Sequence, residues 1–186
     1  VNEVLGSQRP YFLIRLVSLK AVHDVGKKGL SHNELSIIIR YLEKRGRVYI
    51  SSERNIPSYL EKYQIKIEPK YLPHILFYSK LFIGDSQTMC SEAGVLGTPF
   101  IRYNDFVGKV STLNEIENKY GLGYGVKVGK INELVSHLKY LTEDKSVNKI
   151  WKKKREVLLG EKVDLTDFLL SIFLEEGQNE FNRSRI

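Results

Sequence analysis

The chain has 186 residues, 42% hydrophobic and 27% charged, the proportions of a single globular domain able to bury a core. Its formal net charge of +7 and pI near 9.3 admit nucleic acid, an anionic membrane surface or a phosphorylated small molecule as partner, without choosing among them. The longest apolar runs, 37–39 and 168–174, are too short to span a bilayer. The one cysteine, Cys90, has no disulfide or metal-ligand companion. The first residues lack the basic start and apolar block of a secretory leader, and a reducing cytoplasm is the expected compartment.

The first strand is expected at 11–17, Tyr-Phe-Leu-Ile-Arg-Leu-Val, directly after Pro10. Leu35, Ile38, Ile39 and Leu42 then recur at helical spacing, so 31–46 predicts a helix. Ser31 and Glu34 form a capping-box pattern at its start, and Gly46 stands where a C-terminal glycine is favoured. A strand at 47–52, a short helix at 56–63 opened by Pro57, and a short strand at 65–67 follow. The next helix, 73–80, is expected to pack Ile75, Leu76 and Phe77.

The most informative stretch begins at Leu81: a buried strand runs into Gly84-Asp85-Ser86 and straight on into a helix. Ser86 is a good N-cap, Thr88, Met89, Ala93, Val95 and Leu96 supply packing, and Gly97 and Pro99 end the helix. The unpaired N–H groups of such a helix start attract anions. Glu92, about one and a half turns in, can reach past a phosphate toward a hydroxylated group such as a ribose. The same pattern also occurs in α/β proteins that bind nothing there.

Strands at 99–103 and 124–128 and helices at 111–120 and 131–141 continue the alternation. Leu134, Val135, Leu138 and Leu141 form the stripe of the last of these helices. Strands alternating with helices imply parallel crossovers, hence a Rossmann-like, doubly wound α/β sheet. Two helical runs with no strand between them, 146–159 and 165–175, depart from this pattern. The expected organisation is a Rossmann-like domain over 1–145, C-terminal helices over 146–176 that pack on it or on a partner domain, and a frayed polar end over 177–186. Because the chain begins with Val and enters its first strand almost at once, it is expected to be a piece of a longer protein.

Ligands of open parallel sheets bind beyond the carboxyl ends of the strands. That criterion selects Ser18, Lys20, His23 and Asp24 after the first strand, Ser52 and Arg54 after the second, Asp85, Ser86, Gln87 and Thr88 after the third, and Arg102, Asn104 and Lys109 after the fourth. His23 and Asp24 read either as an acid–base pair or as loop structure, and His74 either touches a ligand edge or packs. The basic run 149–155, with Lys152-Lys153-Lys154 beside Trp151, reads as a solvated helix face or an anion-binding one. Aromatics interleaved for base stacking are scarce there, so no specific nucleic-acid partner is expected. No Walker loop, zinc spacing, Ser–His–Asp order or G-x-G-x-x-G turn is present, and no metal or cofactor is expected.

Residues 85–102, Asp-Ser-Gln-Thr-Met-Cys-Ser-Glu-Ala-Gly-Val-Leu-Gly-Thr-Pro-Phe-Ile-Arg, resemble the nucleotide-sugar site of two-domain, GT-B-type glycosyltransferases and of the related UDP-N-acetylglucosamine 2-epimerases. The chain is also similar, over roughly 9–160, to the family catalogued as domain of unknown function 354. That likeness rests on Leu16-Val-Ser18, His23-Asp24, Gly29-Leu-Ser31, Tyr49-Ile-Ser-Ser-Glu53, Ile83-Gly-Asp-Ser86 and Phe106-Val-Gly108. The resemblance implies the fold of a GT-B C-terminal domain. It also implies a nucleoside diphosphate sugar as ligand, with Ser86, Gln87 and Thr88 at the phosphates and Glu92 at the ribose. Ser18, Lys20, Ser52 and Asp85 would complete the nucleotide site, and His23, His74, Arg102 and Lys109 are the candidate substrate contacts. Gln87-Thr88 replaces the epimerases' two glycines and 102–108 replaces their Arg-rich continuation, so epimerase chemistry is not expected. The implied role is the donor-binding half of a glycosyltransferase in glycoconjugate or polysaccharide synthesis, possible at the inner face of a membrane through 152–155. The alternative is a non-catalytic α/β module that binds a protein or an anionic polymer through its basic helices.

Overall fold

The computed structural model describes residues 10–18, 26 and 28–183, with side chains up to 174. Lys20, His23 and Asp24 lie outside the described residues.

Five parallel strands, β1 (Tyr11–Leu16), β2 (Arg47–Ser52), β3 (Leu81–Gly84), β4 (Phe100–Tyr103) and β5 (Gly123–Val126), form one sheet in the order β2-β1-β3-β4-β5. The register pairs Ile14 with Ile50 on one side and Ile83 on the other, and Ile83 in turn with Ile101. Leu13, Ile14, Leu81, Phe82, Ile83, Phe100 and Ile101 are wholly inaccessible. Such continuous apolar runs belong to a sheet covered on both faces.

Helices α1 (His32–Leu42) and α5 (Ile131–Glu143) are joined across one side, where Tyr41 Oη and Arg45 Nη2 both donate to Glu143 Oε1 at 2.6 Å. Helices α2 (Leu72–Tyr78), α3 (Gln87–Leu96) and the short α4 (Ser111–Asn114) form a second group, with α6 (Val147–Glu161) packed on α3. The capping box forms as the sequence implies: Ser31 Oγ accepts from the Glu34 N–H at 3.3 Å, and Glu34 Oε2 accepts from the Ser31 N–H at 2.8 Å.

Several expectations need correction. Gly46 does not cap α1 in a left-handed conformation. It lies where a Cβ would come within 2.5 Å of the Pro10 carbonyl oxygen, so close approach to the strand entry is what requires glycine there. Residues 65–67 are not a strand; one bridge pairs Gln64 with Ile50, and the Ile65 N–H donates to the Ile50 oxygen at 2.9 Å. The helix opened by Pro57 is a 3-10 helix, Ser58–Tyr63. Phe77, Thr88 and Val95, expected to pack, are exposed. The helix predicted over 111–120 begins as α4 and continues as a wider π turn, Glu115–Lys119.

The C-terminal helices form as expected. In α6, Trp151 is buried and its indole N–H donates to the Leu122 oxygen at 2.8 Å. Lys154 Nζ and Arg155 Nε donate to the carbonyls of Gly121 and Val95, at 2.6 and 2.8 Å. Part of the basic run therefore holds the helix to its neighbours. The last helix, α7 (Leu165–Arg183), extends past residue 175 into the polar end predicted to fray. It exposes Leu165, Phe168, Leu169, Phe173 and Leu174.

Candidate functional site

Strand order reverses between β1 and β3, so the crevice of this sheet opens where the loops after those two strands part. Asp85 stands at that point, buried just past β3. Its Oδ1 accepts the Val17 N–H at 2.7 Å, its Oδ2 accepts Arg54 Nη2 at 2.9 Å, and its carbonyl oxygen accepts Asn104 Nδ2 at 2.9 Å. Arg54 also donates to the Leu30 oxygen at 2.8 Å. Through its carboxylate and its carbonyl oxygen, this one residue ties together the loops after four strands. Burial pushes the Asp85 carboxyl up from its usual range, against the opposing pull of the Val17 N–H and Arg54.

The returning loop closes on the same group. A Cβ on Gly29 would lie 2.3 Å from Asp85 Oδ2, so only glycine fits there, and the Lys28 N–H donates to Asp105 Oδ2 at 2.8 Å. On the β1/β2 side, Arg15 pairs with Glu53 and donates to Ser51 Oγ at 2.5 Å, while Glu53 Oε2 accepts the Ser18 N–H at 3.1 Å.

Ser86 caps α3, its Oγ accepting the Met89 N–H at 3.3 Å. Among the described residues nothing takes the N–H groups of Gln87 and Thr88, which stand at the open end of the helix. Thr88 and Glu92 are exposed on that helix, and Gln87 is half-buried. Gly97 ends it in the left-handed conformation, φ 79°, as the sequence predicts. Cys90 is buried in the same helix, and burial holds its thiol well above the ordinary range.

The predicted site residues thus divide. Ser18 follows β1 and Ser86 follows β3, the two strands that flank the crevice, and Gln87, Thr88 and Glu92 lie on the helix that starts there. Lys109 is exposed in the turn after β4, and His74 is exposed in the first turn of α2. Three others belong to the frame instead. Asp85 has both carboxylate oxygens engaged within the protein. Ser52 Oγ both donates to the Arg54 oxygen at 2.6 Å and accepts the Arg54 N–H at 3.2 Å. Arg102 is wholly buried and grips Glu117 in a two-pronged pair, Nε to Oε1 at 2.7 Å and Nη2 to Oε2 at 2.8 Å. The π turn is what carries Glu117 to that position.

Sequence reasoning missed the Arg54–Asp85 bridge and the role of Gly29. The only available signal was chemical: an acid directly after a buried strand either faces ligand or needs a buried partner. Among the described residues, no three His, Cys, Asp or Glu side chains gather to hold a metal ion, and no helix is long and apolar enough to cross a membrane.

No protein-family model matches the chain, so the likeness to the family of unknown function 354 rests on the motifs alone; no curated protein is similar to it in sequence. Solved structures are similar in fold. TarM is 15% identical with a TM-score of 0.56, covering 88% of this chain and 34% of its own. The calicheamicin glycosyltransferase CalG4 is 14% identical with a TM-score of 0.55, covering 81% and 38%. UGT71G1 of Medicago truncatula, solved with UDP-glucose, is 15% identical with a TM-score of 0.51, covering 83% and 37%. The fold is accordingly that of the Rossmann-like C-terminal domain of GT-B glycosyltransferases. The chain spans between about a third and two-fifths of the length of these structures.

Proposed function

We propose that this chain is the donor-binding half of a GT-B-like glycosyltransferase and holds a nucleoside diphosphate sugar in the β1/β3 crevice. The observation that carries the reading is the open start of α3 at the topological switch point, with Glu92 exposed farther along the same helix. The diphosphate lies at the N–H groups of Gln87 and Thr88, and Glu92 accepts hydrogen bonds from the ribose hydroxyls. Ser18 and Ser86 line the approach, with Lys20 and Lys109 as candidate cations from the segments after β1 and β4. Glycosyl transfer leaves a nucleoside diphosphate, whose developing charge helix N–H groups and cations stabilise. The acceptor and any general base belong to a preceding domain. UGT71G1 was solved with UDP-glucose, which makes uridine the first base to test.

The test is calorimetric titration with UDP, GDP, CDP and ADP, repeated on Glu92→Ala. One nucleotide should saturate, and the variant should bind it at least ~10-fold more weakly, the scale of a lost hydrogen bond to a charged group. Its melting point should not move, because Glu92 is exposed. Unchanged affinity in the variant would remove Glu92 from the site, and no binding by any nucleotide would remove the donor reading from this chain.

A further inference from the structure

A second concavity lies at the opposite end of the strands. Lys80 and Pro99, on its wall, immediately precede β3 and β4, so it opens at the amino ends of the strands, about 13 Å of strand away from the crevice. It encloses about 410 Å³, within the range of small-ligand sites. Its walls are the end of α2, the end of α3, and one face of α6.

The chemistry of the lining is one-sided. Asn148, Trp151, Lys152 and Arg155 recur at helical spacing on α6 and all face the groove, opposite Lys80. No carboxylate lines it, and among the described residues neither Lys80 nor Lys152 has an ionic partner. Two of the wall hydroxyls are already committed: Ser79 Oγ and Thr98 Oγ1 donate to the Leu76 oxygen at 2.8 and 3.0 Å. The groove is therefore lined by cations and aromatic rings, with the Asn148 amide and apolar Leu96 and Pro99 between them. Phe77 and Tyr78, 47% and 62% exposed, meet edge to face at 4.9 Å on its rim.

From this pairing of unpaired cations with exposed rings we infer that the groove binds an anionic carbohydrate, sugar rings carrying sulfate, phosphate or carboxylate. The cations take the anionic substituents, and Tyr78 and Phe77 offer ring faces to the apolar face of a pyranose. The volume suits one or two rings. Single-stranded nucleic acid fits less well, since it uses successive stacking platforms along an extended basic groove, and one adjacent pair of rings supplies only one. This inference stands apart from the donor reading, because the two sites share no residue.

The experiment titrates the chain with heparin hexasaccharide and with trigalacturonate, beside a neutral maltohexaose, oligothymidylate and polyglutamate. At least one anionic sugar should bind and maltohexaose should not. The double variant Lys80→Glu, Lys152→Glu should weaken that binding at least ~10-fold. A charge-matched control, Lys66→Glu with Lys139→Glu, should leave it within about twofold, since both lysines are exposed and away from the groove. Tyr78→Ala should weaken the sugar and leave polyglutamate unaffected. Equal losses in the two double variants would reduce the effect to net charge and overturn the site. Tighter binding of oligothymidylate or polyglutamate, or no effect of Tyr78→Ala, would overturn the carbohydrate assignment. Melting curves of each variant separate loss of binding from loss of fold.

Discussion

Arg102 and Glu117 show how one residue can carry opposite meanings in sequence and in structure. Arg102 lies at the end of a strand, where a substrate contact is expected, yet its guanidinium is wholly buried against a carboxylate that is itself almost inaccessible. Two charges removed from water are held because both prongs of the pair are made. Truncating one partner leaves the other charged and unpaired in the core. Glu117→Ala should therefore cost roughly 3 kcal/mol or more, measured by urea unfolding, while nucleotide affinity in the material that remains folded stays near that of the parent. A loss of affinity with little loss of stability would return Arg102 to the binding site. Asp85 is the same lesson at the crevice itself: its carboxylate shapes the loops and cannot at the same time face a phosphate.

Among the elements, α1 and α3 both start on a serine cap, and their surroundings separate their roles. The start of α1 is closed: Glu34 returns to Ser31 and also accepts the Tyr103 hydroxyl, which in turn accepts the Gly129 N–H at 2.8 Å. Among the described residues, no such acid returns to the start of α3. Burial pushes the Glu34 carboxyl up, but its bonds from Tyr103 and Ser31 outweigh that and hold it below an ordinary value near 4.5. A depressed carboxylate contributes stability that is present above its unfolded value and lost as pH falls through its folded value. Glu34→Gln should therefore lower the melting point at pH 7, and the difference from the parent should shrink as pH drops below about 4.5. A difference that stayed constant across that range would show that packing, not the charge, is what Glu34 supplies.

At the scale of the molecule, the two concave sites lie at opposite ends of the strands of one sheet, and α7 belongs to neither. Its exposed Leu165, Phe168, Leu169 and Phe173 follow helical spacing, a stripe with no cover among the described residues. Removing 165–186 should shift the melting point by no more than about 2 °C and leave nucleotide binding intact, since the core closes without it. A larger fall would mean that α7 supports the sheet.

The alternation of apolar strands with striped helices determined the fold class, because parallel crossovers follow from it, and Ser31, Ser86 and Gly97 were legible as caps because capping is a local property. The carboxyl ends of the strands are the expected place for a ligand for the same topological reason. What each loop residue does there was not legible. Whether Asp85, Ser52 or Arg102 faces solvent or the frame depends on partners 2 to 68 positions away, Arg54, Glu117 and Val17 among them. The aromatics that sequence reading found missing beside the basic run also arrive from elsewhere: Phe77 and Tyr78, some seventy positions earlier, come to face α6. Periodicity and capping act between neighbours along the chain, whereas charge pairing and grooves are made between segments that only the folded sheet brings together.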